Sequence, residues 1–152
     1  MEAPADHSFE LGTVGPKVIV VGVDGTETSL RAGAYAGGLA RREGARLVVV
    51  FVAAPSRFAT MSAAGLALLY QTTEEMGQQL RATAESRARE LGIDLVFVMR
   101  RGDPYTEICR VATEVRADAV IVGASMWAGH RFAGSLAVRL VKAGRWPVTV
   151  VP

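Results

Sequence analysis

Five apolar runs punctuate the chain, at residues 17–23, 46–52, 94–99, 119–122 and 148–151. The first two, K-V-I-V-V-G-V and R-L-V-V-V-F-V, are continuous and β-branched rather than alternating. Strands buried on both faces read this way, so the runs predict a parallel sheet. Between them lie stretches of helical period. Leu30, Ala34, Gly37 and Ala40 fall on one face of a helix predicted over 29–43, with Gly44 as its stop. Thr26, Thr28 and Ser29 are candidate caps for its start. Gly33, Gly37 and Gly38 inside this helix predict a close approach to the sheet, since glycine weakens a helix interior by roughly 0.5–1 kcal/mol. Met76, Leu80, Ala84, Ala88 and Leu91 make a second stripe, closed by Gly92, with Thr72 and Glu75 as a capping box at its start. Before it, residues 55–72 carry no clear period, and 63–70 reads equally as a helical turn or a lid. Asp103 and Pro104 mark a third helix start, followed by an inward stripe of Tyr105, Ile108, Val111, Ala112 and Val115. Leu136, Leu140 and Ala143 line the last helix.

The resulting order is β-α-β-α-β-α-β-α-β. It predicts an α/β, doubly wound parallel sheet with helices on both faces, in a single domain. Crossovers in such a sheet are right-handed. Ligands sit beyond the carboxyl ends of the strands, where the strand order reverses. If the first and fourth strands adjoin there, Asp24 and Gly123 face one crevice despite their distance in sequence.

The chemistry concentrates after the fourth strand, in V-I-V-G-A-S-M-W-A-G-H-R-F-A-G-S over 120–135. Gly123, Gly129 and Gly134 let the backbone turn and approach a ligand closely. Gly134 and Ser135 open the following helix, whose first amides are unpaired and attract an anion. Ser135 adds a hydroxyl; His130 and Arg131 add cationic donors. The competing reading is a glycine-lined turn that binds nothing. Neither G-x-x-x-x-G-K-[ST] nor an early G-x-G-x-x-G is present.

Composition narrows the classes. Half of the 152 residues are hydrophobic, enough for a core. No apolar run reaches the ~18 residues of a membrane span. Residues 1–15 carry acidic groups without a basic-then-apolar order, and read as a tail rather than a signal peptide. The single Cys109 excludes an internal disulfide and a cysteine-rich zinc site, which points to the cytoplasm. A net charge of +2 without a clustered stripe argues against nucleic acid as a partner. With two His residues, one of them His7 in the tail, no Ser-His-Asp set stands out. The last run, 148–151, is short and apolar. It predicts an edge strand that pairs with its copy in a homodimer, and Thr149→Pro is expected to weaken that pairing.

With these residues in view the chain resembles the universal stress protein family from Lys17 onward. V-G-V-D-G-T at 21–26 is similar to that family's first strand and its terminal Asp. R-G-D-P at 101–104 resembles its turn before the third helix. A-D-A-V-I-V-G at 117–123 and R-W-P-V-T-V-V at 145–151 resemble its fourth and last strands. The resemblance implies a five-stranded sheet in order 3-2-1-4-5, a homodimer, a role in stress physiology and an ATP or AMP site, with magnesium accompanying ATP. The family's nucleotide loop has the form G-x-x-G-x9-G-[ST]. Gly123 matches its first glycine and Gly134-Ser135 its closing pair. Met126 occupies the second glycine position, and the span from Gly123 to Gly134 is two residues shorter than the family form. Asp24, after Val23, matches the position that helps hold ribose or metal. Val52 matches the residue whose backbone meets adenine. Amides of Gly123, Ala124, Ser125, Gly134 and Ser135 are the expected phosphate ligands. The alternative is a homodimeric interaction module whose loop binds no nucleotide. Catalysis is not expected, for lack of a P-loop Lys or an evident base.

Overall fold

A computed structural model describes residues 15–54, 62–127, 130–132 and 134–152. The N-terminal tail expected over 1–15 lies outside the described residues, apart from Gly15. The apolar runs form β1 (Val18–Val23), β2 (Arg46–Ala53), β3 (Leu95–Arg101), β4 (Ala119–Gly123) and β7 (Val148–Val151). These pair in parallel in the order β3-β2-β1-β4-β7. In chain order of the sheet's own strands this is 3-2-1-4-5, as the resemblance implied. Between β4 and β7 two three-residue strands, β5 (Ser125–Trp127) and β6 (His130–Phe132), make a separate antiparallel ribbon. Among the described residues there are four helices: α1 (Glu27–Glu43), α2 (Ala63–Leu91), α3 (Pro104–Glu114) and α4 (Gly134–Ala143).

Side chains alternate across the pleat, so each continuous strand supplies two cores. Ile19, Val21, Val49 and Phe51 pack with Ala32, Ala36 and Ala40 of α1. Val20, Val48, Val50, Val120 and Val122 pack with Ile108 and Val111 of α3 and Leu140 of α4. The expected third-helix stripe is borne out, and Cys109 beside it is buried.

Three expectations fail. In α1 the buried stripe is Ala32, Ala36 and Ala40, while Leu30 and Ala34 are exposed, because the helix is rotated to lay its alanines on the sheet. Nor are its glycines demanded by close approach. A Cβ would meet nothing nearer than 3.7 Å at Gly33 and 3.9 Å at Gly37, and nothing within 4 Å at Gly38. Gly38→Ala is therefore expected to stabilise the protein by about 0.5–1 kcal/mol, read from the urea midpoint. Third, α2 does not begin at a Thr72 capping box. It starts at Ala63, capped by Ser62, whose hydroxyl accepts from the Gly65 amide at 3.1 Å. Thr72 lies mid-helix and donates to the Leu68 carbonyl at 3.0 Å. The stripe of α2 holds in its middle, at Leu80, Ala84 and Ala88, whereas Met76 and Leu91 are exposed.

Candidate functional site

The strand order reverses between β1 and β4, which pair side by side from Ile19 and Ala119. At their carboxyl ends opens a cleft of about 340 Å³. One side of it is polar. Thr26 caps α1, its hydroxyl accepting from the Ser29 amide at 3.3 Å. The Asp24 carboxylate accepts from the Thr26 amide at 3.0 Å and its hydroxyl at 2.6 Å, which fixes the turn around Gly25. The Ser29 hydroxyl accepts from the Asp24 amide at 3.2 Å and donates to the Thr26 carbonyl at 2.9 Å. The opposite wall is apolar, made by Val50, Val52, Pro104, Ile108, Val122 and Leu136.

Two features hold the walls. A Cβ on Gly123 would stand 2.5 Å from the Thr28 carbonyl carbon and 2.6 Å from the Ser29 nitrogen. The start of α1 therefore rests directly on the end of β4, and the buried Thr28 hydroxyl donates to the Ala124 carbonyl at 2.6 Å. On the far side, Asp103 caps α3, accepting from the Thr106 amide at 3.0 Å and the Thr106 hydroxyl at 2.8 Å. Arg139 of α4 reaches the same carboxylate at 3.3 Å and lies over the Tyr105 ring at 4.1 Å.

The Thr106 amide, then its hydroxyl and Arg139, hold the Asp103 carboxyl below its ordinary value of 3.8. A depressed carboxyl contributes stability that is present above the unfolded pKa and lost as pH falls through the folded one. Asp103→Asn keeps a cap but cannot titrate. Its urea midpoint is expected to fall less steeply than wild type below pH 3.8.

Of the residues singled out in the sequence, Val23, Asp24, Val52, Gly123, Ala124 and Ser125 line the cleft together. Gly134 lies beside them: its φ is +75°, and a Cβ there would collide with the Ser125 side chain. Gly129 lies outside the described residues, as do the side chains of His130, Arg131 and Ser135. The backbone of 125–127 and 130–132 differs from the loop expected, because Ser125, Met126 and Trp127 pair with Phe132, Arg131 and His130. Thr28, Ser29, Ile108 and Leu136 were missed as cleft residues. Thr28 and Ser29 signalled only capping, while Ile108 and Leu136 sat in stripes that read as core.

The family model described as universal stress protein family matches residues 16–152. A universal stress protein of Methanocaldococcus jannaschii is 30% identical over 138 residues, covering 89% of this chain and 81% of its own. The crystal structure of a universal stress protein family member from Burkholderia pseudomallei is 25% identical. It superposes with a TM-score of 0.73, over 90% of this chain and 96% of that one. A universal stress protein crystallised in complex with cAMP is 26% identical, with a TM-score of 0.62, over 91% of this chain and 98% of that one. With the match spanning the whole sheet and all four helices, the chain belongs to the universal stress protein family.

Proposed function

We propose that the cleft between β1 and β4 binds an adenine nucleotide, ATP or AMP, and that the protein acts in the stress response as a sensor or partner-binding module. The observation that carries this is the joining of an apolar wall to a polar mouth lined by Asp24 and the hydroxyl residues Thr26, Thr28, Ser29 and Ser125 at the point of strand reversal. The volume, about 340 Å³, lies at the small end of the ~300–1,000 Å³ range of ligand sites, which suits a mononucleotide. Val50, Val52, Ile108 and Leu136 offer a surface for adenine. Asp24 stands where ribose hydroxyls would meet it, and Gly123, Ser125, Gly134 and Ser135 supply amides near the start of α4 for phosphate, whereas the Ala124 amide expected to join them donates to the Val151 carbonyl at 2.7 Å. Gly129, His130 and Arg131 complete the proposed loop. Magnesium carried by ATP would meet Asp24 and Glu27, the carboxylates lining the cleft. The complex of a 26% identical relative with cAMP supports an adenine ligand.

A second reading has its own observation. The β5–β6 ribbon, with Ser125 packed against Gly134, folds the shortened segment on itself. An interaction module with no nucleotide would have such a closed segment. Calorimetry on a nucleotide-free preparation decides between them, with ATP, AMP and cAMP, with and without magnesium. Saturable heat, strongly reduced in Gly134→Val, supports binding. No heat at millimolar nucleotide leaves the interaction module.

The reading is completed by a cytoplasmic location, by residues 16–152 acting as one unit, and by a homodimer formed through β7. Among the described residues no helix is long and apolar enough to cross a membrane. β7 stands at one edge of the sheet. The carbonyls of Pro147 and Val151 accept from β4, at Val120 and Ala124. Residues alternate in a parallel ladder, so Thr149 also faces β4, while the amides of Val148 and Val150 face the open edge. Thr149→Pro would thus damage the monomer's own ladder. Val150→Pro removes an outward donor instead. It is expected to shift the protein toward monomer in light scattering with a cooperative melt retained, at a lower temperature because Val150 also packs against the core.

A further inference from the structure

A second groove lies on the other face of the sheet, between α1 and α2, with a volume of about 520 Å³. We propose that it binds one long-chain carboxylate, tail along the groove and head group at its cationic end.

The floor is apolar, made by Val23, Val49 and Phe97 of the sheet. The α2 wall presents Leu80, Ala84 and Ala88. The α1 wall is bare: Gly33, Gly37 and Gly38 line the groove, and none is there because something crowds it. A Cβ at any of the three would meet nothing nearer than 3.7 Å. The chain instead keeps a hollow where α1 would otherwise pack on α2. Leu30 and Ala34, two of the residues that α1 leaves exposed, line the same hollow. This helix therefore has two apolar faces, one of alanines on the sheet and one of glycines, Leu30 and Ala34 facing Leu80, Ala84 and Ala88 of α2 across the hollow.

Shape selects the occupant. From Leu30 to Arg41 the groove runs about 16 Å along the helix axis. A helical peptide of that length, about 10 Å wide, would occupy roughly 1,200 Å³, more than twice the space. A single extended acyl chain is slender enough. Charge selects the head group. Arg41 and Arg87 line the groove one on each helix. Arg41 makes no ion pair among the described residues, and Arg87 shares only an exposed contact of 3.3 Å with Glu90. A carboxylate between two guanidinium groups forms charge-assisted hydrogen bonds.

The test is calorimetry of the full chain with laurate below its micelle concentration, and with dodecanol as the uncharged control. Laurate should bind at one site per chain, at least tenfold more tightly than dodecanol. Gly38→Leu, where an added Cβ meets nothing within 4 Å, places a side chain in the groove and should abolish binding; Gly37→Leu is the second blocking variant. Arg41→Gln combined with Arg87→Gln should weaken laurate at least tenfold and leave dodecanol unchanged. Nucleotide calorimetry should be the same in all these variants, which separates this site from the cleft. Laurate affinity unaffected by Gly38→Leu and Gly37→Leu, or binding without saturation, overturns the proposal. So does a wild-type dimer that Gly38→Leu dissociates, since the groove would then hold a second copy.

Discussion

Replacing Val20 by Asp is expected to unfold the protein. Val20 is fully buried and stands in the central strand, in register with Val48 of β2 and Val120 of β4. Its side chain points into the core shared with α3 and α4. An unpaired carboxylate there costs several kcal/mol even after protonation, against a total stability of about 5–15 kcal/mol for a domain. Circular dichroism at neutral pH should show loss of the cooperative melt. Val96→Glu is the control: Val96 lies on edge strand β3 and is 42% exposed, so this charge should be tolerated. A Val20→Asp protein that melts like wild type would mean that the strand is misplaced.

The second large effect is expected at Gly123. Adding one methyl group there brings it to 2.5 Å from the backbone of α1, and backbone cannot rotate away as a side chain can. Gly123→Ala must therefore lift the start of α1 from β4. Overpacking of this kind costs roughly 1–3 kcal/mol, and losing the buried Thr28 bond to the Ala124 carbonyl adds about 1 kcal/mol. The expected loss is about 2–4 kcal/mol in urea denaturation, with nucleotide affinity falling as the mouth of the cleft deforms. Gly38→Ala makes the same chemical change and should move stability the other way. Equal effects at the two glycines would refute the account of both.

The sheet was legible because its strands are covered on both faces. Residues 18–23 and 46–52 have no polar side to confuse with a helix, and their order with the intervening stripes leaves one architecture. The cleft was half legible. Asp24 and Gly123 end their strands and are visible as chain breaks. Their contact with Thr28 and Ser29 depends on how closely a helix start approaches a strand about 95 residues away, which no local period records. The first half of α2 was hidden for a different reason. Residues 63–72 are exposed or at most half-buried, so no apolar stripe marks the helix. The β5–β6 ribbon was hidden because three-residue strands are too short to alternate, and its glycine and small residues read as a loop.

The length of α2 carries a consequence for how the protein breathes. Its 29 residues extend about 43 Å, whereas the seven residues of β3 beside it extend about 23 Å. Gly77 packs against Phe51 and Met99, two residues before β2 and β3 end at Ala53 and Arg101. The turns before it meet the sheet at the exposed end of β3, where Arg101 pairs with Glu74 at 2.9 Å and lies over the Tyr70 ring at 5.1 Å, and are otherwise held by their own hydrogen bonds and the Ser62 cap. An isolated helical segment of about 14 residues is marginal in water. One continuous helix thus contains two cooperative units. From Leu80 to Leu91 its amides should open only with the whole fold, and from Ala63 to Met76 they should exchange with solvent by local fraying. The protein carries at the carboxyl edge of its sheet a segment that can unwind and rewind without disturbing the core.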